Sequence, residues 1–146
     1  MVPSEYAKRR LKKIALIGAL ATDKTSPLGS WRIAADDHTA VSVLEGLSQY
    51  TGNTITYSTG ADLTYGKTEF VTELNINTTD KSEFTKAKEV ARNVDVVIMV
   101  LGEHGFQSGE GRSRTSLDLP GVQQELLEEI FSVNPNIVLV LNNGRP

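Results

Sequence analysis

The run from Gly102 to Pro120 gathers the side chains of this sequence best suited to proton transfer. Glu103 and Glu110 bring carboxyls, His104 an imidazole, and Arg112 and Arg114 guanidiniums, with Gly102, Gly105, Gly109 and Gly111 between them. A carboxylic acid with a raised pKa can protonate a leaving group, and a nearby arginine can hold a hydroxyl or orient the carboxylate. Glycines on both sides of Glu110 let the backbone bend close to a ligand and leave the side chain on a mobile tip. The same residues also read as an exposed polar turn in which Glu103 pairs with an arginine, and spacing alone fits both readings.

Other chemistries find less support. The chain has no cysteine and two histidines, so it has no thiol nucleophile, no disulfide frame and little from which to build a metal site. His104 and His38 read more naturally as exposed or satisfied side chains than as catalysts. Gly18-Ala19-Leu20-Ala21 lacks the glycine spacing of a dinucleotide or phosphate loop, and Ser108 and Ser113 lack the Gly-x-Ser-x-Gly elbow. Trp31, in Pro27-Leu28-Gly29-Ser30-Trp31, can either stack on a sugar ring or plug the end of a sheet. No metal and no cofactor are expected.

These loops need a frame. Lys13–Gly18, Asp95–Leu101 and Asn136–Leu141 are nearly continuous apolar runs, the pattern of parallel strands covered on both faces, and Thr54–Ser58 is a shorter β-rich run. Helical spacing appears between them. Val41, Leu44 and Leu47 mark a helix over 39–50; Phe84, Ala87 and Ala91 mark one opened by Asp80 with Glu83 in a capping-box arrangement. A third is expected to start at Pro120 and bury Val122, Leu126, Leu127, Ile130 and Phe131. The stretch 58–79 shows no periodicity and reads as a surface loop. The order β-α-β-α-β-α-β predicts an α/β fold, a three-layer αβα sandwich with a mainly parallel sheet, whose ligands bind beyond the carboxyl ends of the strands. The long loops 19–38 and 102–119 lie at that edge.

Length and charge bound the rest. At 146 residues, 39% hydrophobic, the chain suffices for one core, and a net charge of -3 gives no footprint for nucleic acid. No apolar run approaches the roughly 20 residues that cross a bilayer, so no membrane partner is expected. The basic run Lys8, Arg9, Arg10, Lys12 and Lys13 suits an anionic partner less well than a solvated helix or arm leading into the first strand, and residues 1–12 are read as an N-terminal arm.

The motifs Lys13–Gly18, Pro27–Trp31, Asp95–Glu103, Ser108–Arg114, Leu119-Pro120 with Gln123, and Asn143–Pro146, in that order, resemble the C-terminal α/β sandwich domain of glycoside hydrolase family 3, most closely that of bacterial β-glucosidases of the periplasmic type. The resemblance covers 13–146, and the chain looks like a domain fragment without the catalytic barrel. It implies hydrolysis of terminal non-reducing β-D-glucosyl residues with retention of configuration. An N-terminal (β/α)-barrel of the same full-length chain would supply an aspartate nucleophile, and this domain the general acid/base. Retention needs two carboxyl groups about 5–5.5 Å apart. By the resemblance the acid/base role falls on Glu110, with Glu103 as rival and read as structural. Arg112 and Arg114 would orient Glu110 or anchor its loop, and Trp31 would line the pocket. The implied substrate is a β-glucoside or oligosaccharide, the location periplasmic or extracellular, and the fragment alone inactive.

The competing reading is a non-catalytic flavodoxin-like binding or receiver module. A receiver needs an acidic cluster after its first strand to hold Mg²⁺, where this chain has Gly18-Ala19-Leu20-Ala21.

Overall fold

The computed structural model describes residues 12–30, 32, 38–50, 52–69 and 72–144. Trp31, residues 1–11 of the basic arm, and Arg145 and Pro146 lie outside the described residues. Four parallel strands, β1 (Lys13–Ile17), β2 (Thr54–Ser58), β5 (Val96–Gly102) and β6 (Ile137–Asn142), form one sheet in the order β2-β1-β5-β6. The helices are α1 (Val43–Ser48), α2 (Phe84–Arg92) and α3 (Gln123–Val133).

Two apolar clusters make the layers. Ala15, Ile17, Val97, Met99 and Leu101 pack with α2 and α3 on one face. Leu16 and Val100 pack with Val43, Leu44 and Leu47 of α1 on the other. The central strands β1 and β5 are therefore buried on both sides, as their continuous apolar runs predict. Because α1 covers one face and α2 and α3 the other, the chain leaves β1 and β5 toward helices on opposite faces, and the carboxyl ends of two such strands are the usual ligand position in sheets of this kind.

Several expectations need correction. The helix expected over 39–50 is shorter: Ser42 caps α1 in a capping box with Glu45, and Val41 is 66% exposed outside it. No such box opens α2. Asn77 Oδ1 already accepts from Thr79 and Asp80 N–H, and Asp80 Oδ1 accepts from Ser82 N–H, so the chain turns before the helix begins at Phe84. Nor does α3 start at Pro120. Val122 N–H donates to the Asn77 carbonyl, which holds the chain outside the helix until Gln123, and Phe131 is 59% exposed. Within the described sheet β6 is the outermost strand, and its Val138 and Leu141 are about half exposed. The stretch 58–79 is not a plain loop: β3 (Thr64–Tyr65) and β4 (Asn75–Ile76) pair antiparallel, and buried Asn77 bonds Asp62, Asp80 and Tyr65.

Candidate active site

The two long loops meet at the carboxyl end of the sheet. After β1, short 3₁₀ turns at Ala19–Ala21 and Ser26–Leu28 shape the first loop. After β5, a third turn at Gly105–Gln107 shapes the second. Buried Ser26 joins them, its Oγ accepting from Gly105 N–H at 3.0 Å. Asp23 holds Ser26 in turn, with Oδ1 accepting from Thr25 N–H at 2.7 Å and Ser26 N–H at 3.0 Å. Burial pushes the Asp23 carboxyl up, but hydrogen bonds from the Ser26 hydroxyl and these two N–H groups outweigh it and hold the carboxyl below its ordinary value. It stays a carboxylate.

His104 has a structural task. Its Nδ1 accepts from Phe106 N–H at 3.1 Å while Gln107 Oε1 accepts from His104 N–H at 2.8 Å, a reciprocal cap on the Gly105–Gln107 turn. Nδ1 as acceptor requires the neutral ring with its proton on Nε2. Burial lowers the His104 pKa, with Asp23 opposing and Arg32 reinforcing the shift. The Arg32 guanidinium lies over the Phe106 ring at 4.4 Å. His38 does not start a helix: it adopts φ 64 and its Nδ1 lies 3.2 Å from the Thr25 hydroxyl.

The two candidate carboxyls occupy opposite environments. Glu103, the first residue after β5, is 6% exposed, and Arg114 Nη1 donates to its Oε1 at 2.8 Å. Arg114 Nη2 donates to the Asp118 carbonyl at 2.8 Å, so one guanidinium ties both sides of the loop. Glu110 is exposed at the tip. Gly109, before it, serves close approach rather than mobility: a Cβ there would stand 2.1 Å from Ser30 Oγ, and φ is +116°. Arg112, after it, donates from Nη2 to the Thr72 carbonyl at 3.0 Å and lies 3.6 Å from Glu73. The tip thus lies close against Ser30 at Gly109 and is tied to the hairpin side through Arg112.

Glu103, Arg112, Arg114 and Glu110 therefore belong to one loop at the sheet edge, and the described contacts of the two arginines go to Glu103, Asp118, Thr72 and Glu73. Sequence reasoning missed Asp23 and Ser26 as residues that hold this loop. The Asp23-x-Thr25-Ser26 spacing of an Asx turn was the available signal.

Comparison with known proteins identifies the frame. The model of the glycosyl hydrolase family 3 C-terminal domain matches residues 7–146. A β-xylosidase of Formosa agariphila is 32% identical over 152 residues, covering 100% of this chain and 19% of its own. A periplasmic β-glucosidase of Salmonella typhimurium is 32% identical over 143 residues, covering 91% and 19%. Among solved structures, a family 3 β-glucosidase of Bifidobacterium adolescentis superposes with a TM-score of 0.67 at 30% identity, covering 92% of this chain and 18% of that one. A β-glucosidase involved in saponin metabolism from intestinal bacteria gives 0.74 at 26% identity, covering 93% and 21%. The chain spans about a fifth of the length of these relatives. A match from residue 7 to the last residue, shared by relatives across nine-tenths of the chain or more, leaves one assignment: the chain belongs to the glycosyl hydrolase family 3 C-terminal domain family.

Proposed function

We propose that this chain is the second domain of a longer, periplasmic or extracellular β-glucosidase, cleaving terminal non-reducing β-D-glucosyl residues with retention of configuration. A (β/α)-barrel of the same polypeptide supplies the aspartate nucleophile. Glu110 supplies the general acid that protonates the glycosidic oxygen and, in the second step, the base that takes a proton from water. Arg112 and Arg114 hold its loop.

The observation that supports this division most is the contrast between the two glutamates. An acid/base must reach a substrate held by a neighbouring domain and change protonation twice per turnover. Exposed Glu110, on a tip set close against Ser30 at Gly109 and tied through Arg112, suits that task. Glu103, buried against Arg114, is held as an ion pair and suits a structural one. The location follows the Salmonella relative, named periplasmic. Among the described residues no helix is long and apolar enough to cross a membrane. A receiver-like role finds no support at the end of β1, where Leu20 and Ala21 are buried apolar residues.

The test is Glu110→Ala in the full-length enzyme. General acid assistance contributes about 10²–10⁴-fold, so kcat/KM should fall by that order on alkyl β-glucosides and little on 2,4-dinitrophenyl β-glucoside, whose leaving group needs no proton. Equal losses on both would refute the assignment. The 146-residue chain alone should not hydrolyse p-nitrophenyl β-glucoside.

A further inference from the structure

β5 outruns its neighbour. β1 makes its last pairing with β5 at Ile17 and Met99, whereas β5 continues along β6 to Gly102. Along this overhang the backbone groups that face away from β6 have no strand to meet them, and a buried N–H or C=O without a partner is costly. At Gly102 a side chain meets both. Gly102 N–H donates to Gln123 Oε1 at 2.9 Å, and Gln123 Nε2 donates to the Gly102 carbonyl at 2.8 Å. The second Nε2 hydrogen goes to the Pro120 carbonyl at 2.9 Å. Gln123 is 6% exposed and is the first residue of α3.

Only a carboxamide offers an acceptor and two donors in this arrangement, and asparagine is one methylene shorter. On the opposite side Glu103 N–H donates to the Asn142 carbonyl at 2.8 Å. The position has no room for a side chain, since a Cβ at the Gly102 φ of +134° would stand 2.3 Å from that carbonyl oxygen. The strand end is therefore gripped from both sides at the residue before Glu103, where the loop to Glu110 departs.

We infer that Gln123 is a positioning residue for the glycosidase reaction: by clamping Gly102 it sets the direction in which the 103–111 loop leaves the sheet, and hence where Glu110 meets the glycosidic oxygen. This rests on the reading of Glu110 given above.

The test uses the full-length enzyme, with Gln123→Met, which keeps the side chain's length and removes all three hydrogen bonds, measured beside Glu110→Ala. Misplacing a catalytic group by about 1 Å costs on the order of 10²-fold, so kcat/KM of Gln123→Met on alkyl β-glucosides should fall roughly 10–100-fold. On 2,4-dinitrophenyl β-glucoside it should fall far less. Equal falls on both substrates, with Glu110→Ala still discriminating between them, would make Gln123 merely structural and overturn the inference while leaving Glu110 in its role. If Glu110→Ala itself fails to discriminate, that role falls and this inference with it. Should Gln123→Met not fold, Gln123→Glu decides. Its carboxylate can accept from Gly102 N–H but cannot donate to the carbonyls, and protonation restores one donor. Its alkyl-to-aryl rate ratio, relative to wild type at the same pH, should recover as pH falls. A ratio flat in pH would overturn the inference.

Discussion

Arg114 Nη1 donates to Glu103 Oε1 at 2.8 Å across eleven positions of sequence, closing the base of the loop that carries Glu110. The pair unites a carboxylate 6% exposed with a guanidinium side chain 22% exposed. A carboxylate so buried requires a cation, and a bonded, desolvated pair behaves differently from the many ion pairs on solvated surfaces.

Arg114→Ala should therefore destabilise the protein strongly. Removing one partner of a buried pair leaves an uncompensated charge and costs about 3–5 kcal/mol. Lys81→Ala, which breaks an exposed pair with Glu125, should cost about 1 kcal/mol or less. Urea midpoints of the two variants check the contrast, and similar midpoints would contradict the reading of Glu103 as structural.

The two glycines flanking Glu110 should respond differently. Gly111→Ala meets nothing within 4 Å, so only its positive φ of +73° matters, at roughly 1–2 kcal/mol. Gly109→Ala adds a collision with Ser30 Oγ and must move the loop. In the full-length enzyme Gly109→Ala should lower kcat/KM on alkyl β-glucosides well below Gly111→Ala. Equal activities would show that the Ser30 contact does not hold the tip.

Much of this arrangement was legible in the sequence. The buried strands β1 and β5 announced themselves as unbroken apolar runs, and Phe84, Ala87 and Ala91 form the inner face of α2 as their spacing predicts. Periodicity reports burial, not neighbours, so it could not tell outer β6 from a central strand. Nor could it show that Asn77, twelve residues from Tyr65, shapes the starts of both α2 and α3. Residue types placed Glu103, Glu110 and the arginines in one loop. Which glutamate is buried depends on where β5 ends, and that is set by Gln123 and Asn142 from elsewhere in the chain.

His104 gives the fold a pH dependence whose sign follows from its neutral cap. Burial lowers its folded-state pKa, so its contribution is present above the ordinary imidazole value of about 6.5 and is lost as pH falls below it toward the folded value. Protonation would put a hydrogen on Nδ1, where Phe106 N–H now donates. Asp23, also lowered, acts with the same sign but only below the ordinary carboxylate range. Stability should therefore fall as pH drops from neutrality through and below the ordinary imidazole value of about 6.5. His104→Asn, which keeps a capping acceptor without a titrating ring, should flatten that slope; an unchanged slope in thermal melts would place the titration elsewhere.

Azide rescue separates Glu110 from Glu103 most directly. In the full-length enzyme acting on 2,4-dinitrophenyl β-glucoside, loss of the acid/base stalls the second step because water lacks a base, whereas azide needs none. Added azide should raise the turnover of Glu110→Ala and yield β-glucosyl azide, and should leave Glu103→Ala unrescued. Rescue of Glu103→Ala with none for Glu110→Ala would contradict the assignment.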